Sequence, residues 1–168
     1  MTADKLAKLS LLISIGLVLF IIESFIPVPI PFIKLGIANI VSIIALYVYG
    51  LKDALLVTVF RIVIGSLIRG MLFNPIFLVA VGSGITAVLV MGFVKFSFRN
   101  LFSAVGVSVW GAFAYNVAQV VIYYFLIIKS TEIFNLVPFF LIITPVTGFI
   151  TGFVAVLVLE KGKGKISF

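Results

Sequence analysis

Residues 136–160 read LVPFFLIITPVTGFITGFVAVLVLE, twenty-five positions whose one charge is the final Glu160. Wound as an α-helix at 1.5 Å per residue, such a run is about 37 Å long, more than the roughly 30 Å hydrocarbon core of a bilayer requires. The rest of the chain repeats the pattern. Moving outward, breaks at 27–31, 50–53, 69–75, 95–100 and 129–135 separate six apolar runs, and these predict helices over 6–26, 35–49, 53–68, 75–96, 101–128 and 136–160. The breaks carry the punctuation expected of helix ends, such as Pro27, Pro29 and Pro31 in the first and Gly50 in the second. The second and third runs are short, as for helices that stop against protein inside the bilayer. The first run is read as a retained helix rather than a cleaved leader, because it is long and five more runs follow it.

Composition agrees. Of 168 residues, 64% are hydrophobic and only 10% charged, the mean hydropathy is +1.42, and a soluble domain holds about a quarter of its residues as charges. The expected architecture is therefore an all-α integral membrane protein, one domain over 1–168, a bundle of six transmembrane helices. Cysteine and histidine are both absent, which removes disulfides, thiol and imidazole chemistry and the usual zinc ligands. No cofactor or metal is expected. The net charge of +7 is explained by orientation in a membrane, not by nucleic acid. With the N-terminus inside, the inner segments carry Lys5, Lys8, Lys52, Lys95, Arg99, Lys161, Lys163 and Lys165 against Lys34, Arg69 and Lys129 outside. That bias places both termini in the cytoplasm.

Ionisable and amide side chains within such helices are expensive, at about 2.5–3.5 kcal/mol or more for a charge at the centre, so each needs a reason to be there. Glu23 falls near the outer end of the first helix and Arg61 near the middle of the third, where they can face one another; a structural ion pair and a ligand site are both open. Lys34, Asn39, Arg69 and Asn74 fall on the same outer side. Tyr115, Asn116 and Gln119 lie at spacings of three and four on the fifth helix, so they can share a face; amide bonds to neighbouring helices and ligand contact both fit them. Thr144, Gly148 and Gly152 on the last helix, and Ser10 with Ser14 on the first, are small-residue faces suited to close helix approach. No phosphate-cradling Gly-rich loop is present. Asp4 and Asp53, the two aspartates, stand at helix starts and form no pair to hold magnesium and a diphosphate. No residue is a candidate catalyst.

The segment Glu23-Ser-Phe-Ile-Pro-Val-Pro29, followed by Lys34-Leu-Gly-Ile-Ala-Asn-Ile40, resembles a bacterial membrane family named both heptaprenyl diphosphate synthase component I and Gx transporter. Arg61, Val90-Met91, Gly111-Ala-Phe-Ala-Tyr-Asn-Val-Ala-Gln119, Pro138 and Gly148 continue the resemblance in order over nearly the whole chain. Tyr115 stands where the family motif usually has His, which puts proton-linked chemistry there in doubt. The family in turn looks like the substrate-binding S components of energy-coupling factor (ECF) importers. That resemblance implies several things at once: a multi-pass protein of the bacterial cytoplasmic membrane, not an enzyme, capturing a vitamin-like molecule, a flavin ranking first, from outside. It implies as partners a transmembrane coupling protein, met through Ala7, Ser10 and Ser14, and two cytoplasmic ATPases. It also implies a lid near 27–36. The predicted binding residues are Glu23, Lys34, Asn39, Arg61, Arg69, Tyr115, Asn116 and Gln119. The alternative is a non-catalytic membrane subunit of a heptaprenyl diphosphate synthase.

Overall fold

The computed structural model describes residues 3–25, 36–98 and 101–163. They form six α-helices: α1 Ala3–Phe25, α2 Asn39–Val48, α3 Leu51–Ile68, α4 Pro75–Ser97, α5 Ala104–Tyr123 and α6 Val137–Lys163. A π-helical turn, Tyr124–Ile128, prolongs α5, and a 3-10 turn, Thr131–Leu136, leads into α6. No strand occurs among the described residues. Every predicted run is helical, and the differences lie at the ends. The run predicted from 101 starts at Ala104, because the Ser103 hydroxyl accepts from Gly106 N and caps the helix there. Asn74 caps α4 in the same way, accepting from Ile76 N, with Pro75 as the first helical residue. The second run shortens to ten residues.

Four helical segments, Ala3–Glu23, Pro75–Ser97, Ala104–Ile127 and Val137–Lys161, are long and apolar enough to cross a membrane. Their outward side chains are those of a membrane protein: Leu11, Val18, Phe93, Ile142, Phe149 and many like them are exposed, an apolar surface far beyond what a soluble monomer shows. The helices alternate in direction. Lys5 Nζ meets Asp53 Oδ2 at 2.7 Å, joining the starts of α1 and α3, and Lys95 Nζ near the end of α4 donates to the Leu46 carbonyl near the end of α2 at 2.8 Å. There the lysine satisfies a carbonyl that the helix end leaves orphaned. Ser108 with Thr151 and Asn116 with Thr144 pair α5 antiparallel to α6. Lys5, Lys52, Lys95 and Lys161 thus gather at one end of the bundle, and Arg69 and Lys129 stand at the other.

α5 packs most extensively, against α4 and α6, while α2 sits between α3 and α6. The small-residue face of α6 explains the α5–α6 closeness: a methyl group at Gly148 would lie 2.7 Å from Val109 Cα, and one at Gly152 2.8 Å from Val105 Cα. Two apolar cores result. One, around Leu9, Val41, Leu46, Val57, Met91 and Val107, lies toward the lysine-rich end; the other joins Val79, Val120, Tyr123, Ile133 and Phe140. Along α5, Tyr115 falls between them, and there it lines a pocket together with Glu23, Asn39 and Arg61.

Candidate functional site

On α1, Gly16, Phe20 and Glu23 are spaced four and three apart, so one stripe of the helix turns inward, and all three are buried. Glu23 ends that stripe at the N-terminus of α2. Its Oε1 accepts from Gly36 N at 2.6 Å and its Oε2 from Ala38 N at 3.5 Å. Gly36 has a φ of +74°, a left-handed conformation that glycine takes without strain, and the turn aims these amides at the carboxylate. The positive end of the α2 dipole adds to the attraction.

Beside this cap, Arg61 reaches up from α3. It is 3% exposed, its Nη2 donates to Asn39 Oδ1 at 3.1 Å, and its Nε is buried with no hydrogen-bond partner. Gly16 gives it room, since a methyl group there would lie 2.8 Å from Arg61 Cδ and 2.6 Å from Val41 Cγ2. Glu23, Asn39, Arg61 and Tyr115 line one cavity, with Phe20, Ile62 and Ala80 as its apolar wall. The cavity measures about 20 Å³, room for about one water, whereas a drug-sized ligand needs at least about 300 Å³. A larger guest therefore enters only if the helices around it part.

Of the sequence-predicted residues, four come together here. Glu23 and Arg61 share the cavity, yet among the described residues they form no ion pair within 4.0 Å, because the carboxylate is engaged by the α2 amides instead. The other residues fall elsewhere. Asn116 is buried at the α5–α6 seam, where Nδ2 donates to Thr144 Oγ1 at 2.7 Å. Successive helical residues point about 100° apart, so Tyr115 and Asn116 serve different cavities. Gln119 is buried at 2% exposure and does not line the Arg61 cavity. Arg69 is exposed just past the end of α3. Lys34 and nearly all of the expected lid at 27–36 lie outside the described residues. Ala7, Ser10 and Ser14 are exposed on α1, and the Ser14 hydroxyl is turned back onto the Ser10 carbonyl at 2.9 Å. Trp110 stands in a surface chain of edge-on aromatic contacts with Phe102 and Phe113, which is a packing role.

Gly16, which packs on Arg61, and Phe20, Gly36, Ile62 and Ala80 of the cavity wall are the residues that polarity alone does not point to. The stripe of Gly16, Phe20 and Glu23 is the signal in the sequence that would have found the first two.

The family model described as heptaprenyl diphosphate synthase component I matches residues 12–158. No curated protein and no solved structure matches the chain. Since the family match runs from within α1 almost to the end of α6, enclosing every residue of the Arg61 cavity, the chain belongs to the heptaprenyl diphosphate synthase component I family.

Proposed function

We propose that this protein is a non-catalytic, substrate-binding membrane subunit that holds a small anionic nutrient or cofactor precursor at Arg61, in the manner of the S component of an ECF importer. The single observation that carries the reading is the Arg61 guanidinium, buried in a polar cavity of an apolar bundle with its Nε unsatisfied. A buried guanidinium with spare donors calls for a carboxylate or phosphate oxygen, which it binds through charge-assisted hydrogen bonds. Glu23 is committed to α2 and so leaves that valence open. Tyr115 and Asn39 add neutral donors and acceptors that orient the guest.

In this reading all six helices are membrane-embedded and the lysine-rich end faces the cytoplasm. Glu23 lies two residues from the outer end of α1, so the N-terminus of α2 that it caps stands in the outer half of the bundle, reached from outside. Transport requires an energy source, which a coupling protein and two ATPases supply, and the exposed Ala7, Ser10 and Ser14 face is where the coupling protein docks. Extraction of the purified protein with organic solvent, followed by mass spectrometry, tests the ligand class. An anionic vitamin-like molecule at near-stoichiometric yield supports the reading, and a neutral or cationic one refutes it.

A second reading is favoured by the family description itself: a membrane subunit of a heptaprenyl diphosphate synthase, with a separate subunit performing the chemistry. The absence of paired aspartates from the sequence gives this chain an accessory part in that case too. The two readings differ in their protein partners.

A further inference from the structure

The Arg61 cavity holds two opposite charges that do not touch. Glu23 and Arg61 both line it, yet no ion pair joins them within 4.0 Å among the described residues. On the basic side, Arg61 Nη1 and the Tyr115 hydroxyl make no hydrogen bond among the described residues. Neither is a sealed orphan of the kind that Arg61 Nε is, so both donors open on the cavity that their residues line. On the acidic side, Glu23 Oε1 accepts from Gly36 N at 2.6 Å, whereas Oε2 accepts from Ala38 N at only 3.5 Å. A carboxylate offers about four lone-pair sites, so Glu23 can accept further donors, and the weakly engaged Oε2 is the oxygen best placed to do so.

Resting on the reading that an anion binds at Arg61, we propose that the anionic end of the guest is a carboxylate with a hydroxyl on the neighbouring carbon, a 2-hydroxy acid. One carboxylate oxygen meets Arg61 Nη1 and the other the Tyr115 hydroxyl, and the guest's own hydroxyl donates to Glu23. A carboxylate without that hydroxyl would face Glu23 across the cavity as a like charge. Both carboxylates only accept, so the group between them has to donate. The cavity measures about 20 Å³, room for about one water, which puts the donor next to the anionic group and not farther along the guest. A phosphate dianion would double the charge that faces Glu23. An ammonium in the hydroxyl's place would bring three N–H groups toward one weakly engaged oxygen, with the surplus stranded against Phe20, Ile62 and Ala80.

The test follows the melting temperature of the full-length protein in mild detergent as glycolate, acetate or glycine is added at constant ionic strength. At about pH 7 all three carboxylates are ionised, and the probes are small enough to ask little parting of the helices. Glycolate should bind about tenfold or more tightly than acetate, the scale of one hydrogen bond to a charged group, and more tightly than glycine. Glu23→Gln, which removes the facing charge and keeps the side chain's size, should strengthen acetate and erase the preference for glycolate. The wild-type comparison decides the matter if that variant does not fold. Acetate or glycine binding as tightly as glycolate overturns the proposal, as does a Glu23→Gln protein that keeps the full preference. Where Arg61→Met then abolishes the binding, the Arg61 reading survives that failure; where it leaves the binding unchanged, both fall. Binding by none of the three overturns the 2-hydroxy acid alone, and the anion recovered by extraction still judges the Arg61 site.

Discussion

Replacing Arg61 by methionine separates a residue kept for a ligand from one kept for the fold. With α3 embedded in the membrane as proposed, a guanidinium near its centre costs about 2.5–3.5 kcal/mol on insertion scales. Against this stands, among the described residues, its hydrogen bond from Nη2 to Asn39 Oδ1 at 3.1 Å. A bond to a charged group returns about 1.5–3 kcal/mol. Its Nε is unpartnered, and Glu23 lends attraction from across the cavity without direct contact. The balance leaves Arg61 neutral or unfavourable by up to about 2 kcal/mol relative to an apolar side chain of similar length. Asn39, only half-buried, can turn its oxygen to water in the variant. For a chain of this size 1 kcal/mol corresponds to about 2–4 °C. Arg61→Met in mild detergent should therefore unfold at the wild-type temperature or up to about 8 °C above it. In a thermal-shift screen against carboxylate and phosphate cofactor precursors, the anion that stabilises the wild type should have no effect on the variant. Arg61→Lys should recover binding only in part, because an ammonium lacks the planar fork. A variant that melts far below the wild type, or that still binds the anion, would refute the reasoning: Arg61 would then be a structural pin.

Further outcomes follow from the same packing. Gly148→Val places side-chain carbons where Val109 Cα lies 2.7 Å from the first of them, so α5 and α6 must part; unfolding measurements should register a loss of about 1–3 kcal/mol. Gly16→Val should displace Arg61 and Val41 and weaken anion binding more than it lowers the melting temperature, whereas equal binding would show that Arg61 does not depend on that gap. Because the chain has no cysteine, Arg69→Cys and Lys161→Cys can be made without removing others. An impermeant maleimide added to intact cells should label the first and spare the second, and the reverse pattern would invert the orientation proposed here.

The helices were legible because length and apolarity dictate them: runs predicted over 53–68 and 75–96 appear as Leu51–Ile68 and Pro75–Ser97. Their ends were less so, since a cap such as Ser103 or a π-helical turn such as Tyr124–Ile128 depends on local hydrogen bonds that hydropathy does not encode. Of the site, the charges inside helices were found on cost alone, and Glu23, Asn39, Arg61 and Tyr115 do line one cavity. What the sequence could not apportion was partnership. Glu23 and Arg61 are the obvious pair by charge, yet the Gly36 turn brings backbone amides to the carboxylate first. Tyr115 and Asn116 are neighbours in sequence, but one residue of helical rotation sends them to different pockets. Gly16 was invisible because its contribution is the absence of a side chain beside Arg61.

The central claim is that this membrane chain binds a cargo for other subunits to move, and its protein partners report on that most directly. The measurement is affinity purification of the tagged protein from native membranes in mild detergent, with the co-eluting proteins identified by mass spectrometry. The account predicts a transmembrane coupling protein together with two ATPases, lost when Ser10 and Ser14 are replaced by bulky residues on the exposed face of α1. Recovery of a soluble prenyl synthase subunit in their place would contradict it.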